Sequence, residues 1–298
     1  MITVAGITKT YGARVAVDDL TFDVAPGRVT GFVGPNGAGK STTMRMMVGL
    51  TRPDRGEVRY HGVPYRELCS PARTVGSVLD ARCMHPGRTA RHHLRATAAL
   101  SAIPLRRADE VLAEVGLESA ANQRAGGFSL GMRQRLALAG ALLGEPQVLL
   151  LDEPSNGLDP DGIRWLRNHL SAFARKGGTV FVSSHLISEL SMFAEDLVVV
   201  GGGRLIAAES VTAITARNDV TVIIATEVPT ELAGILREQG LQVDAAGERL
   251  FVRGGTRDVV SKIAFDHGIR VLELTETSQS LEESLLDMTG SSAEFAAA

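Results

Sequence analysis

The stretch Gly34-Pro35-Asn36-Gly37-Ala38-Gly39-Lys40-Ser41-Thr42 restricts this chain more than any other. It fits G-x-x-x-x-G-K-[ST], a pattern that carries meaning only between a strand and a helix. Both are expected here. Residues 29–33 are an apolar run of strand length, and 41–50 read as a helix stopped by Arg52-Pro53-Asp54. In this setting glycines let backbone N–H groups turn inward around phosphate oxygens, and the helix N-terminus adds partial positive charge. Lys40 would then reach the β and γ phosphates of a nucleotide, and the Ser41 hydroxyl would ligate Mg²⁺. The bland alternative, a flexible glycine loop before a helix, fits the flanking strand poorly.

A second feature supplies the complementary chemistry. Val148-Leu149-Leu150-Leu151-Asp152-Glu153 reads as an apolar strand ending in two carboxylates. Asp152 would hold Mg²⁺, directly or through water. Glu153 would polarise an attacking water as general base. Four aliphatic residues before an acid often mean only a strand end. Here they follow a phosphate loop, which favours the chemical reading.

The rest of the chain suggests an α/β organisation. Residues 21–24 and 29–33 flank Pro26-Gly27 and read as a β-hairpin. Residues 88–120 look helical, and 132–143 form another helix with Pro146 beyond its end. Apolar runs at 148–151 and 180–182 suit a parallel sheet, and 197–207 read as a hairpin around Gly201-Gly202-Gly203. From about residue 217 the order becomes β-α-β-β-α-β, which suggests a small ferredoxin-like α+β unit. The expected boundaries are 1–216, 217–290 and a tail at 291–298, with an amphipathic segment at 281–288 before a polar, disordered end.

Composition excludes several classes. The longest apolar candidate, 136–151, is broken by Glu145 and Pro146, so no run reaches the roughly 20 residues that span a bilayer. No basic segment followed by an apolar one opens the chain, so no signal peptide is expected. Cys69 and Cys83 fit no metal or redox spacing and read as reduced thiols. Residues 1–215 carry 24 basic and 20 acidic groups, whereas 216–298 carry 7 and 14. The acidic second part argues against nucleic-acid binding there. His85, His92 and His93 cluster in sequence without nearby Cys or acidic partners, and read as surface or contact residues.

Between the two nucleotide motifs lies Phe128-Ser129-Leu130-Gly131-Met132, continued by Arg133-Gln134-Arg135. It resembles the signature segment of ABC ATPases, usually Leu-Ser-Gly-Gly-Gln, keeping Ser129 and Gly131 in its place shortly before the acidic strand. Ser155-Asn156-Gly157-Leu158-Asp159 is similar to that family's D-loop, and Ser183-Ser184-His185 to its switch histidine. Tyr11 resembles the aromatic residue that stacks on adenine, although a lone tyrosine serves equally as a packing residue. Aligned on Pro86, Asp80 falls where the family's Q-loop carries glutamine; the alternative is a solvated loop carboxylate. The resemblance covers about residues 1–215, and the second unit looks like the C-terminal extension of bacterial drug- and antibiotic-export ATPases.

That resemblance implies a P-loop NTPase fold with a mostly parallel sheet, an N-terminal antiparallel β part and a helical subdomain. It implies ATP hydrolysis with Mg²⁺, using Lys40, Glu153 and His185. Ser129 and Gly131 would act on the ATP of a partner subunit, with Asp159 at the interface. The implied partners are a polytopic membrane subunit and a second ATPase copy, on the cytoplasmic face of the membrane, with no nucleic acid. An exporter is favoured by the second unit and by Asp80. An importer ATPase stays open, as does a soluble ABC ATPase, although the latter usually carries a coiled-coil insertion or a second phosphate loop. An inactive ATPase-like protein is disfavoured by the presence of Lys40, Asp152, Glu153 and His185.

Overall fold

The computed structural model describes residues 1–80, 84–184, 187–216 and 220–278. They form two compact units, one over Met1–Val211 and one beginning at Thr212. The expected switch histidine, His185, lies outside the described residues, as do Cys83, the segment 281–288 and the tail 291–298.

The first unit contains two sheets. β1 (Ile2–Tyr11), β2 (Arg14–Val24), β4 (Arg55–Tyr60) and β5 (Val63–Pro64) form an antiparallel sheet in the order β2-β1-β4-β5. β3 (Val29–Val33), β6 (Val75–Val78), β7 (Val148–Asp152), β8 (Thr179–Ser184), β9 (Asp196–Gly201) and β10 (Arg204–Ser210) form the other, in the order β10-β9-β3-β8-β7-β6. All its pairings are parallel except that of β9 with β10, the expected 197–207 hairpin.

The hairpin expected around Pro26-Gly27 does not form. β2 pairs with β1, while β3 pairs with β8 and β9. The burial of each strand gives the reason. Along its second half β2 is buried at every other residue, as a strand with one wet face should be, whereas all five residues of β3 are buried. A strand buried on both faces needs neighbours on both edges and cover above and below, which an isolated hairpin cannot supply. The Pro-Gly turn therefore carries the chain from one sheet to the other. Phe22 of β2 meets Phe32 of β3 and Phe181 of β8 at centroid distances of 5.8 and 5.5 Å, bonding the two sheets. Burying each such ring contributes about 1.5–3 kcal/mol.

The helices follow from local cues. α1 (Lys40–Met47) is tied to β4 by Tyr60, which is fully buried and donates its hydroxyl to the Met47 carbonyl at 2.9 Å. α2 (Pro71–Thr74) leads into β6. The helical stretch expected over 88–120 splits into α3 (Ala90–Leu100) and α4 (Arg107–Glu114). Pro104 explains the break, since it has no N–H to donate and pushes its predecessor out of helical geometry. α5 (Leu130–Leu142) starts two residues earlier than expected, because the Ser129 side chain accepts the Met132 N–H and caps it. α6 (Pro160–Arg175) and α7 (Ile187–Ser191) complete those of the first unit, and α8 (Val211–Ala216) starts at the boundary to the second.

The second unit contains β11 (Val220–Thr226), α9 (Pro229–Glu238), β12 (Gln242–Ala246), β13 (Arg249–Arg253), α10 (Arg257–Asp266) and β14 (Val271–Ser278). Its antiparallel sheet runs β12-β13-β11-β14, the β-α-β-β-α-β arrangement read from the sequence. Val222, Ile224, Leu250 and Val252 pack with Leu232 and Leu236 of α9 and Val260 and Ala264 of α10 in a core of their own.

Candidate functional site

Parallel pairing points the C-terminal ends of β3, β6, β7 and β8 to one edge of the sheet, the edge where open α/β sheets bind ligands. At that edge stand the Gly34–Thr42 loop after β3, Asp152 and Glu153 at the end of β7, and Ser183 and Ser184 at the end of β8. Asp80 follows β6, whose Val78 is in register with Leu151, and is exposed.

The loop depends on two glycines. Gly39, ahead of α1, has φ 98°, and a Cβ there would sit 2.5 Å from the Ala16 carbonyl oxygen. At Gly34 an added Cβ would overlap the Val200 carbonyl oxygen. Within the loop the Ala38 N–H donates to the Pro35 carbonyl at 3.2 Å. Lys40 donates its ammonium to the carbonyls of Gly34 at 2.6 Å and Pro35 at 3.2 Å. Its burial lowers the pKa of this lysine, and the charges of Glu153 and Asp152 partly offset that. The first N–H groups of α1 have no carbonyl within the helix to bond, which suits an anion at its start.

Tyr11, Asn36, Gly37, Gly39, Lys40, Ser41, Thr42 and Glu153 line one open cleft of about 360 Å³, together with Arg14 and Ala16. That volume is in the range of small-ligand sites. Tyr11 is half exposed, with the Lys9 ammonium 5.6 Å from its ring centre. The sequence reading missed Arg14, which is the cross-strand partner of Tyr11 at the β1–β2 turn and brings a cation to the cleft. The signal was the Gly12-Ala13 turn, which sets residues 11 and 14 side by side.

The reading also gave no role to Ser183. Its Oγ donates to Asp152 Oδ1 at 2.5 Å and accepts the Glu153 N–H at 3.0 Å. Glu153 itself has φ 49°, a left-handed conformation that non-glycine residues rarely hold. A polar residue directly after the apolar run 180–182 of β8 was the available clue.

Ser129, Gly131 and Asp159 do not line this cleft. Ser129 is exposed at the start of α5. Asp159 caps α6, its Oδ1 accepting the Gly162 N–H at 2.8 Å, so helix capping alone accounts for an aspartate there. The two segments touch through Gln134, whose Nε2 donates to the Asn156 carbonyl at 3.4 Å. Among the histidines, His85 Nδ1 accepts the Gly87 N–H at 3.1 Å, and burial with the nearby Arg88 charge lowers the pKa of His93. Among the described residues no three metal-ligating side chains gather. Ser41 and Asp152 offer one hydroxyl and one carboxylate, hard oxygen donors that fit Mg²⁺ arriving with phosphates better than a caged ion. No helix among the described residues is long and apolar enough to cross a membrane.

Comparison with known proteins agrees with this fold. The ABC transporter family profile matches residues 17–156, and a domain of unknown function matches 220–282. An ABC transporter ATP-binding protein of Bacillus subtilis, YhcH, is 35% identical over 99% of this chain and 97% of its own. The bacitracin transport ATP-binding protein BcrA of Bacillus licheniformis is 34% identical over 97% of both chains, and so is the Nod factor export ATP-binding protein I of Rhizobium sp. strain N33. Among solved structures, an ATP-binding subunit of an ABC transporter superposes with a TM-score of 0.66 at 28% identity, over 73% of this chain and 92% of that one. A dimeric ATP-binding cassette in a post-hydrolysis state with ADP and Pi gives 0.65 at 26% identity, over 70% and 98%. The chain thus belongs to the ATP-binding subunits of ABC transporters, enzymes that bind and hydrolyse ATP.

Proposed function

We propose that this subunit powers export through a separate polytopic membrane subunit, working as a homodimer at the cytoplasmic face of the membrane. The observation that carries the export reading is similarity along nearly the whole chain, second unit included, to proteins named for bacitracin transport and Nod factor export. A drug, antibiotic or lipid-like molecule is the substrate class this suggests. In this reading residues 1–216 are the ATPase, and 217–290 form an accessory unit that adjusts assembly or regulation. The test is reconstitution with the membrane subunit in liposomes, with ATP outside. Export predicts that substrate leaves the ATP side and accumulates in the lumen; transfer the other way would make it an importer.

The cleft supports a division of labour for the residues that line it, and Asp152 and His185 take the roles that the family resemblance implies. Tyr11 stacks on the base, and the Gly34–Thr42 loop and Lys40 hold the phosphates. Ser41 and Asp152 are the residues that would hold Mg²⁺, which when bound neutralises phosphate charge. Glu153 accepts the proton of the attacking water, and His185 serves the γ-phosphate. The exposed, capped N-terminus of α5 lies outside its own chain's cleft, which supports Ser129 and Gly131 acting on the ATP of the second copy, with Asp159 at the contact. Ser129→Arg should therefore cripple hydrolysis and leave ATP binding by the isolated subunit unchanged. Mixed with Lys40→Ala it should regain activity, since one of the two sites in that heterodimer is intact. Loss of ATP binding in monomeric Ser129→Arg would refute action across the dimer.

Asp80 adds a third carboxylate to an edge that holds Asp152 and Glu153. Bound cation offsets the mutual repulsion, so hydrolysis should depend steeply on Mg²⁺. Asp80→Gln should keep hydrolysis while shifting the Mg²⁺ midpoint by up to about fivefold, the scale of exposed charge pairs. Identical Mg²⁺ titrations of the two proteins would return Asp80 to a solvated loop residue.

A further inference from the structure

We propose that Ser183 is a positioning residue for ATP hydrolysis, one hydroxyl that sets both Asp152 and Glu153. The inference rests on the roles proposed above for those two carboxylates.

The hydrogen-bond directions have one consistent solution. An ionised carboxylate only accepts and a backbone N–H only donates. The Ser183 O–H must therefore point at Asp152 Oδ1, leaving a lone pair for the Glu153 N–H. A hydroxyl, with one proton and two lone pairs, can do both at once, and no apolar side chain can do either. Ser183 is completely buried, so water does not compete for these bonds. Asp152 and Ser183 are also register partners of β7 and β8, which holds the donor opposite the carboxylate without a flexible linker.

The second bond explains the backbone. Glu153 leaves β7 with φ 49°, a conformation that non-glycine residues rarely hold and that persists where surrounding contacts hold it. The Ser183 bond to its N–H acts on the peptide that joins the two acids. The same hydroxyl thus fixes the carboxylate that would hold Mg²⁺ and the turn that carries the proposed general base. Its effect reaches the reaction through these two residues, and Ser183 itself does not line the cleft.

The experiment compares Ser183→Ala, Ser183→Thr and Ser183→Cys with the native full-length chain. Bonds to charged groups are worth about 1.5–3 kcal/mol, so Ser183→Ala should lower kcat about 10- to 100-fold, while KM for Mg²⁺–ATP rises by no more than about tenfold, the affinity lost in the second readout below. Ser183→Thr, which keeps the hydroxyl, should recover most of that loss. A second readout needs no turnover. In a Glu153→Gln background, ATP affinity is measured by calorimetry with Mg²⁺ and with EDTA. Adding Ser183→Ala should shrink the affinity gained from Mg²⁺ about tenfold and leave the EDTA value unchanged. Equal loss in both buffers would mean a merely structural role and overturn the proposal, as would native kcat in Ser183→Ala. If Ser183→Ala does not fold, Ser183→Cys, similar in size but a weak donor, is read the same way. A tenfold fall in kcat supports the proposal and native kcat overturns it. Glu153→Gln alone separates the base assignment from the role of Ser183. Normal hydrolysis by it removes the base assignment, whereas its inactivity beside a fully active Ser183→Ala removes only the role of Ser183.

Discussion

Glu153→Gln should bind ATP as the native subunit does and hydrolyse it about 10²–10⁴-fold more slowly, the usual worth of a positioned general base. The amide matches the carboxylate in size and leaves the bond between the Glu153 N–H and Ser183 Oγ in place, so fold and turn should survive. Single-turnover hydrolysis and equilibrium ATP binding measure the two effects separately. Because the two-copy complex would form and not hydrolyse its way open, size-exclusion chromatography with ATP should show a stable dimer. A variant that stays monomeric and turns over normally would place the base elsewhere.

Lys40→Ala should abolish measurable hydrolysis and weaken ATP binding strongly. Removing one donor from a preorganised charge-stabilising site typically costs about 10²–10³-fold in rate, and in the proposed role this lysine would also hold the phosphates before reaction. The loss has a structural side as well, since the ammonium bonds the Gly34 and Pro35 carbonyls and steadies the loop. Lys40→Arg separates charge from shape: it keeps the positive charge, but its planar fork does not replace a compact ammonium. It should fold normally and remain inactive. Steady-state ATPase assays with binding of a fluorescent ATP analogue measure both. Native turnover in Lys40→Ala would refute the phosphate-loop assignment.

The parts of this protein legible in its sequence are those whose cause is local. The Gly34–Thr42 loop, the apolar 148–151 run with its two acids, and the β-α-β-β-α-β order of the second unit are all written in consecutive residues. What escaped depends on pairing between distant segments. Pro26-Gly27 signals a turn correctly, but nothing near it says that β3 joins β8 and β9 and leaves β2 to β1. Ser183 becomes informative only when strand register sets it opposite Asp152, 31 residues away in sequence. Arg14 needed the turn at Gly12-Ala13 to be read as a hairpin end. Pro104 was visible, and its power to split the 88–120 stretch follows from elementary backbone chemistry.

The strand order has a consequence for synthesis. The antiparallel sheet is complete once Pro64 has been made, since β1, β2, β4 and β5 pair only with one another. β3 and β6 are made early too, but their neighbours are late: β7 begins at Val148, β8 at Thr179 and β9 at Asp196. A growing chain therefore holds the apolar β3 without a partner strand until β8 has been made. Such unpaired strands invite association with other chains. The phosphate loop gains its supporting strands only when β8 and β9 arrive. Nascent or truncated chains that stop before Thr179 should be unable to grip ATP and should depend on chaperones. Nucleotide can thus reward only a chain that has grown past β8 and β9.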